Sequence, residues 1–329
     1  MIRSNNKGRI STENFITLSS VMGFACRVSV ATTAFLQLPA FFASCTQMKE
    51  DSCIHIKINR AETGRQAYDI FFFDSVEPFM LDSYQQCTGE KCQYLFSSPG
   101  DKIVAALPAT AGDLLSRASV SRLHDLYHEV FSLENDSPDA PLRYGYARIS
   151  GGASRDFDLN LNPLICTIRV KSVSCDFNGR SYGVISLFHN DNLYLVNAAV
   201  ESCPLAAEGG HPVSWMNYGY PESNHPYICA KGCGDVGLER VYPDVSFYCY
   251  PNPESKPPTR LVLDGWVGDA HCYYPIDIPL TKGGMTYELD VTLHRIGTDS
   301  PDCPASPGTY TVEWATVPWY ESDEREEIY

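Results

Sequence analysis

The sequence has no excess of basic residues. Its 25 Lys and Arg stand against 40 Asp and Glu, and the formal net charge is −15. A chain so charged is repelled by phosphate backbones and anionic membrane surfaces, which excludes nucleic-acid binding as its main role. It also contains no P-loop, no His-Glu-x-x-His and no Cys-x-x-Cys, so the usual local marks of nucleotide hydrolysis, zinc proteolysis and dithiol redox chemistry are missing. No internal repeat of solenoid or propeller length is visible, which removes those architectures. With these classes gone, the expectation is that the protein is not an enzyme.

What is present points to strands. Twenty tyrosines, 22 prolines and 23 glycines favour an all-β chain with many turns. Tyr287 to His294 alternates apolar and polar residues, the period of a sheet with one buried face and one wet face. Pro301, Pro304 and Pro307 interrupt it, and Thr309 to Val317 is again rich in β-branched and aromatic residues before Pro318-Trp319 stops it. Tyr68 to Asp74 is almost wholly apolar, as expected of a central strand covered on both faces. Ile54 to Asn59 alternates cleanly, and Lys102 to Pro108, Asp156 to Leu161 and Ile165 to Val170 also read as strands.

One helix is predicted from Asp113, with Leu114, Leu115, Ala118, Leu123, Leu126, Tyr127 and Val130 as its apolar stripe. His124 and His128 lie four apart on it, a spacing that chelates metals, but no third ligand accompanies them. No metal and no other cofactor is expected.

The amino end reads as a targeting segment. Arg27 precedes the uncharged apolar run Val28 to Ser44, the order of a secretory signal. Ala43-Ser44-Cys45 resembles a lipobox, which implies lipidation of Cys45 and loss of residues 1–44. That loss takes away four basic residues and one acidic one, leaving a net charge of −18. Lys49-Glu50-Asp51 is similar to the signal that sends Bacteroidota lipoproteins to the outer face of the outer membrane. Of 13 cysteines, 11 would remain as thiols or disulfides, an odd number that cannot all pair internally. Cys87 with Cys92, and Cys229 with Cys233, are each spaced to close a small loop in an oxidising compartment. Cys166, Cys175 and Cys249 sit in apolar strands, where a buried free thiol is the ordinary state.

The order of motifs in the second half carries a resemblance. Phe247-Tyr248-Cys249-Tyr250-Pro251-Asn252 is followed by Thr259-Arg260-Leu261-Val262-Leu263, then Tyr273-Tyr274-Pro275-Ile276, then the closing pair Thr286 to Trp319. This series resembles the fimbrillin family of Bacteroidales, pilus subunits and pilus-associated lipoproteins. The resemblance implies two consecutive β-sandwich, transthyretin-like domains, 45–162 and 163–329, after a signal segment 1–44. It implies a structural role at the cell surface, in a fimbrium that assembles by β-strand addition and contributes to adhesion. The partners would be other pilus subunits, the outer membrane through the lipid, and a host or bacterial receptor. It further implies proteolytic release of the amino-terminal strand at Arg60, or at Arg65. The donor strand would lie within Thr309 to Val317, with Tyr310, Val312, Trp314, Thr316 and Val317 as its pocket-seeking and neighbouring residues.

The long Gly-, Pro-, Asn- and His-rich segment Gly209 to Gly237 supports another reading. Trp215, Tyr218 and Tyr220 there have the rings to stack on sugars, so the alternative is a glycan-binding surface lipoprotein that does not polymerise.

Overall fold

The computed structural model describes residues 53–59, 66–88, 91–95, 100–109, 119–150, 156–178, 188–206, 211–218, 225–253, 257–280 and 282–319. Cys45, Arg60, Arg65 and Tyr220, singled out from the sequence, lie outside them. In chain order the first strands are β1 (Cys53–Asn59), β2 (Tyr68–Asp74), β3 (Leu81–Cys87), β4 (Lys91–Leu95), β5 (Lys102–Pro108), β6 (Phe131–Ser132), β7 (Arg143–Ile149), β8 (Asp156–Asn160) and β9 (Asn162–Pro163). Then come β10 (Cys166–Cys175), β11 (Phe188–Val196), β12 (Ala198–Cys203), β13 (His211–Met216), β14 (Cys229–Val236), β15 (Val245–Cys249), β16 (Arg260–Val267), β17 (Ala270–Asp277), β18 (Met285–Leu293) and β19 (Tyr310–Pro318). The protein is all-β.

Among the described residues the strands form five sheets, in the orders β4-β1-β8, β3-β2-β5-β7-β9, β13-β12-β6, β15-β10-β18-β19 and β14-β11-β16-β17. The centre of the five-stranded sheet is apolar on both faces along β2 and β5: Ile70 to Phe73 and Ile103 to Leu107 have no exposed surface. Alternation then sends Ile70, Phe72, Val104 and Ala106 to one face, where they meet Ile56 of β1 and Leu159 of β8. Phe71, Phe73, Ile103, Ala105 and Leu107 go to the other face. There they join a larger core that continues through Leu164 and Ile165 into the space lined by Leu193, Leu195, Leu261, Leu263, Leu289 and Val291. Burying a Leu, Ile or Phe side chain contributes about 1.5–3 kcal/mol, so this continuity is the main source of stability.

The alternation expected of Tyr287 to Leu293 is present: Tyr287, Leu289, Val291 and Leu293 are buried, and Glu288, Asp290 and Thr292 are half-buried. β18 lies parallel to β10, with Thr167 opposite Thr286 and Cys175 opposite Leu293. The turn before it fits closely, because a Cβ on Gly283 would lie 2.3 Å from the carbonyl oxygen of Pro163. Gly284, at φ +70, takes the left-handed conformation that glycine adopts without a side-chain clash.

The predicted helix is corrected in its described part, which is one 3-10 segment, Leu123–His128. Arg122 is extended, at φ −140 and ψ 155, and bridges Met80, so no helix runs through it. Asp125 caps the segment by accepting from the backbone N–H groups of Ser121, at 2.8 Å, and Arg122, at 2.9 Å. Val130 is 50% exposed, outside any apolar stripe.

Candidate functional site

Two strands stand apart from the rest by their edges. β1 lies between two partners, antiparallel to β4 and parallel to β8. Ile56 sits opposite Cys92 on one side and Phe157 on the other, and its side chain has no exposed surface. Ile56 packs with Ile70 and Phe72 of β2 in one apolar cluster. Taking β1 away would leave β4 and β8 with facing rows of unpaired N–H and C=O groups and an apolar hole at Ile56. That combination is the chemical definition of a slot for another strand.

β19 is the opposite case. It pairs antiparallel with β18 from Met285 opposite Pro318 to Leu293 opposite Tyr310, and among the described residues no strand pairs with its outer edge. Thr311, Glu313, Trp314, Ala315, Thr316 and Val317 are exposed. Trp314 is 39% exposed and Val317 42%. The strand is held at its ends. The Tyr310 hydroxyl donates to the carbonyl of Pro275 at 2.6 Å, and burial pushes the Tyr310 phenol up. The Trp319 N–H donates to the Gly284 carbonyl at 3.0 Å, while Thr309 is buried and its carbonyl accepts from His294 and Arg295. The expected donor residues Thr309, Tyr310, Val312, Trp314, Thr316 and Val317 therefore form one contiguous edge strand with its preceding turn residue.

The other sequence-predicted residues are not brought together with these. Trp215, in β13, packs against the larger core with its indole Nε1 buried and unpartnered, while Tyr218 is 55% exposed. The His124 and His128 rings are 5.1 Å apart and edge-on, and no group of three metal-ligating side chains occurs among the described residues. Cys87 is disulfide-bonded. Cys229 and Cys233 are not joined to each other, which corrects their predicted loop: both lie within β14, and the extended backbone carries them apart. Cys166, Cys175 and Cys249 are buried, with their thiols unbonded in this structure.

Two strings match the spacings of known motifs. Gly232-Cys233-Gly234-Asp235-Val236-Gly237 has the dinucleotide spacing but runs along β14, where that fingerprint requires a turn from strand into helix. Gly179-Arg180-Ser181-Tyr182-Gly183 has the spacing of a nucleophile elbow and lies outside the described residues.

A polar aromatic cluster escaped sequence reasoning. On the hairpin of β16 and β17, Trp266 is opposite His271 and Asp264 opposite Tyr273. His271 Nε2 lies 2.7 Å from Asp264 Oδ1, and its ring is 4.8 Å from both Trp266 and Tyr273. The signal was the hairpin itself: pairing Arg260 to Val267 with Ala270 to Asp277 puts these alternate residues on one face.

The fold is the all-β, stacked-sheet architecture of fimbrilins. The chain is similar to a candidate cell adhesion protein from Bacteroides eggerthii DSM 20697, at a TM-score of 0.57 and 17% identity, covering 82% of this chain and 96% of that one. It is similar to another from Parabacteroides distasonis ATCC 8503, at 0.56 and 12%, covering 81% and 96%. A fimbrilin from Porphyromonas gingivalis W83 matches at 0.52 and 12%, covering 82% and 98%. No protein-family model and no curated protein matches. No helix among the described residues is long and apolar enough to cross a membrane.

Proposed function

We propose that the protein is a structural subunit of a cell-surface pilus, lipidated at Cys45 before processing, that assembles by β-strand addition. The observation that carries this reading is the position of β1 between β4 and β8 with Ile56 fully buried. Cutting after Arg60 or Arg65 frees the segment that contains β1, and its departure leaves a slot with main-chain bonding capacity on both walls. An arriving strand regains those bonds, which supply affinity, and an apolar side chain in the place of Ile56 fixes its register. β19 supplies such a strand, because it gives up bonds along one edge only. The fold shared with a fimbrilin and with candidate cell adhesion proteins supports the same reading.

The test is intact mass and amino-terminal sequencing of protein isolated from its own cell envelope. A mature start at Ala61 or Gln66, in chains that migrate as a ladder, is the expected result for a polymerising subunit. Monomeric chains cut at those positions, with β19 still protected from hydrogen exchange, would overturn the exchange mechanism. A lipidated Cys45 on an uncut chain would instead assign an anchoring role and remove the strand-release step.

A further inference from the structure

Cys166 and Cys249 are 83 residues apart in sequence and directly opposite one another in the antiparallel pair β10 and β15. Neither has any exposed surface, and both belong to the larger core. Cys166 Sγ lies 3.1 Å from the carbonyl oxygen of Cys249. Hydrogen bonding between the two side chains, added to burial, holds the Cys249 thiol well above the ordinary range. Among the described residues this is the one place where a cysteine faces a cysteine across a ladder: Cys175 faces Leu293, Cys203 faces His211, Cys229 faces Tyr194 and Cys272 faces Gly265.

We propose that Cys166 and Cys249 are a disulfide-forming site, closed while the chain folds. Residues directly opposite in an antiparallel pair have Cα atoms about 4.5–5.5 Å apart, within the roughly 4.4–6.8 Å that a disulfide spans. The two thiols lose two electrons and two protons to the disulfide of a thiol oxidant, which leaves as two thiols; the only new bond in this chain is Sγ–Sγ. Cys87 is already disulfide-bonded, so the fold is compatible with conditions that oxidise cysteines. The burial of both sulfurs sets the timing, because an oxidant reaches them before the core closes and a reductant does not reach them afterwards. The bond would tie β15 to β10 at the edge of the sheet opposite β19, so it leaves the exposed edge strand free. It does not depend on the pilus reading.

The experiment is to unfold and reduce the full chain, refold it in a buffer of reduced and oxidised glutathione, then block remaining thiols in denaturant and digest. The expected result is one linked species containing the Cys166 and Cys249 peptides, two hydrogens lighter than their sum. It should survive reductant added to the native protein and open when denaturant is present. Cys166→Ser should then release Cys249 as a single blockable thiol while the Cys87 bond persists. Recovery of the two peptides as separately blocked thiols, or of either one linked to a different cysteine, would overturn the proposal.

Discussion

β1 and β19 are the first and last strands described, and they are held in opposite ways. β1 is hydrogen-bonded along both edges and buries Ile56 completely; β19 is bonded along one edge and exposes six of its nine side chains. An edge strand with little buried area opens locally at small cost, whereas a strand between two partners leaves only when its sheet gives way. The difference separates two roles in any exchange: β1 marks where a missing strand is costly, and β19 is the strand most cheaply lent. Variants that shift either strand toward the other's condition test the comparison.

The largest effect is expected at Ile56. Ile56→Asp places a carboxylate in the apolar space between β1 and β2, with no cation described there, and should cost about 4 kcal/mol or more. Urea unfolding followed by tyrosine and tryptophan fluorescence measures it. A loss below about 1 kcal/mol, the range of a surface change, would show that β1 is not a core strand.

The second test concerns the buried carboxyl that ties the loop before β7 to Tyr250, just past β15. Asp136 is buried; its Oδ1 accepts the N–H groups of Ser137 and Leu142, both at 2.8 Å, and its Oδ2 accepts from the Tyr250 hydroxyl at 3.4 Å. Desolvation pushes its carboxyl from 3.8 up to about 7, against those hydrogen bonds and the charge of Arg143. A carboxyl with a raised folded-state pKa binds its proton more tightly in the native state. Stability should therefore be highest at the acid side of this window and fall as pH rises from about 4 to about 7, by on the order of 3 kcal/mol. Asp136→Asn keeps the oxygen for both N–H groups and should flatten that slope. A slope of the same size in the variant would assign the pH dependence elsewhere.

How far these features could be read from sequence depends on the range over which each is determined. β2 and β18 were legible because local periodicity reports burial: an unbroken apolar run for Ile70 to Phe73, and strict alternation for Tyr287 to Leu293. The partners of β1 were not legible, since its parallel pairing with β8 joins His55 to Asp156 and nothing local to either strand encodes it. Likewise Thr309 to Val317 reads as a strand, but its exposed edge is a property of the whole sheet. The helix expected from Asp113 fails in its described part because the bridge between Arg122 and Met80 overrides a helical spacing of leucines. The predicted Cys229–Cys233 loop fails for a similar reason: pairing with β11 stretches the segment that would have had to turn back.

Smaller effects are expected on β19. Tyr310→Phe removes the hydroxyl that donates to the Pro275 carbonyl and should cost about 1 kcal/mol. The loss should appear as faster hydrogen exchange in β19 with little change elsewhere. If exchange accelerates equally in β1, the two strands are not independently held and the comparison breaks.

Trp314→Ala is expected to do least to the folded monomer, and for that reason is the most informative about β19. The ring is opposite Leu289 in register, but it is 39% exposed, whereas Leu289 has no exposed surface. Truncating a side chain so placed should change stability by less than about 1 kcal/mol, in either direction. In a slot like the one β1 occupies, the same ring would be enclosed, and its loss would remove one of the larger apolar contacts a strand can offer. The expected outcome is an unchanged urea midpoint with a marked loss of ladder formation after cleavage at Arg60 or Arg65, read by gel and by electron microscopy. Normal polymerisation by this variant would mean that Trp314 is not enclosed on assembly, and would move the donor to another register of β19 or to another strand.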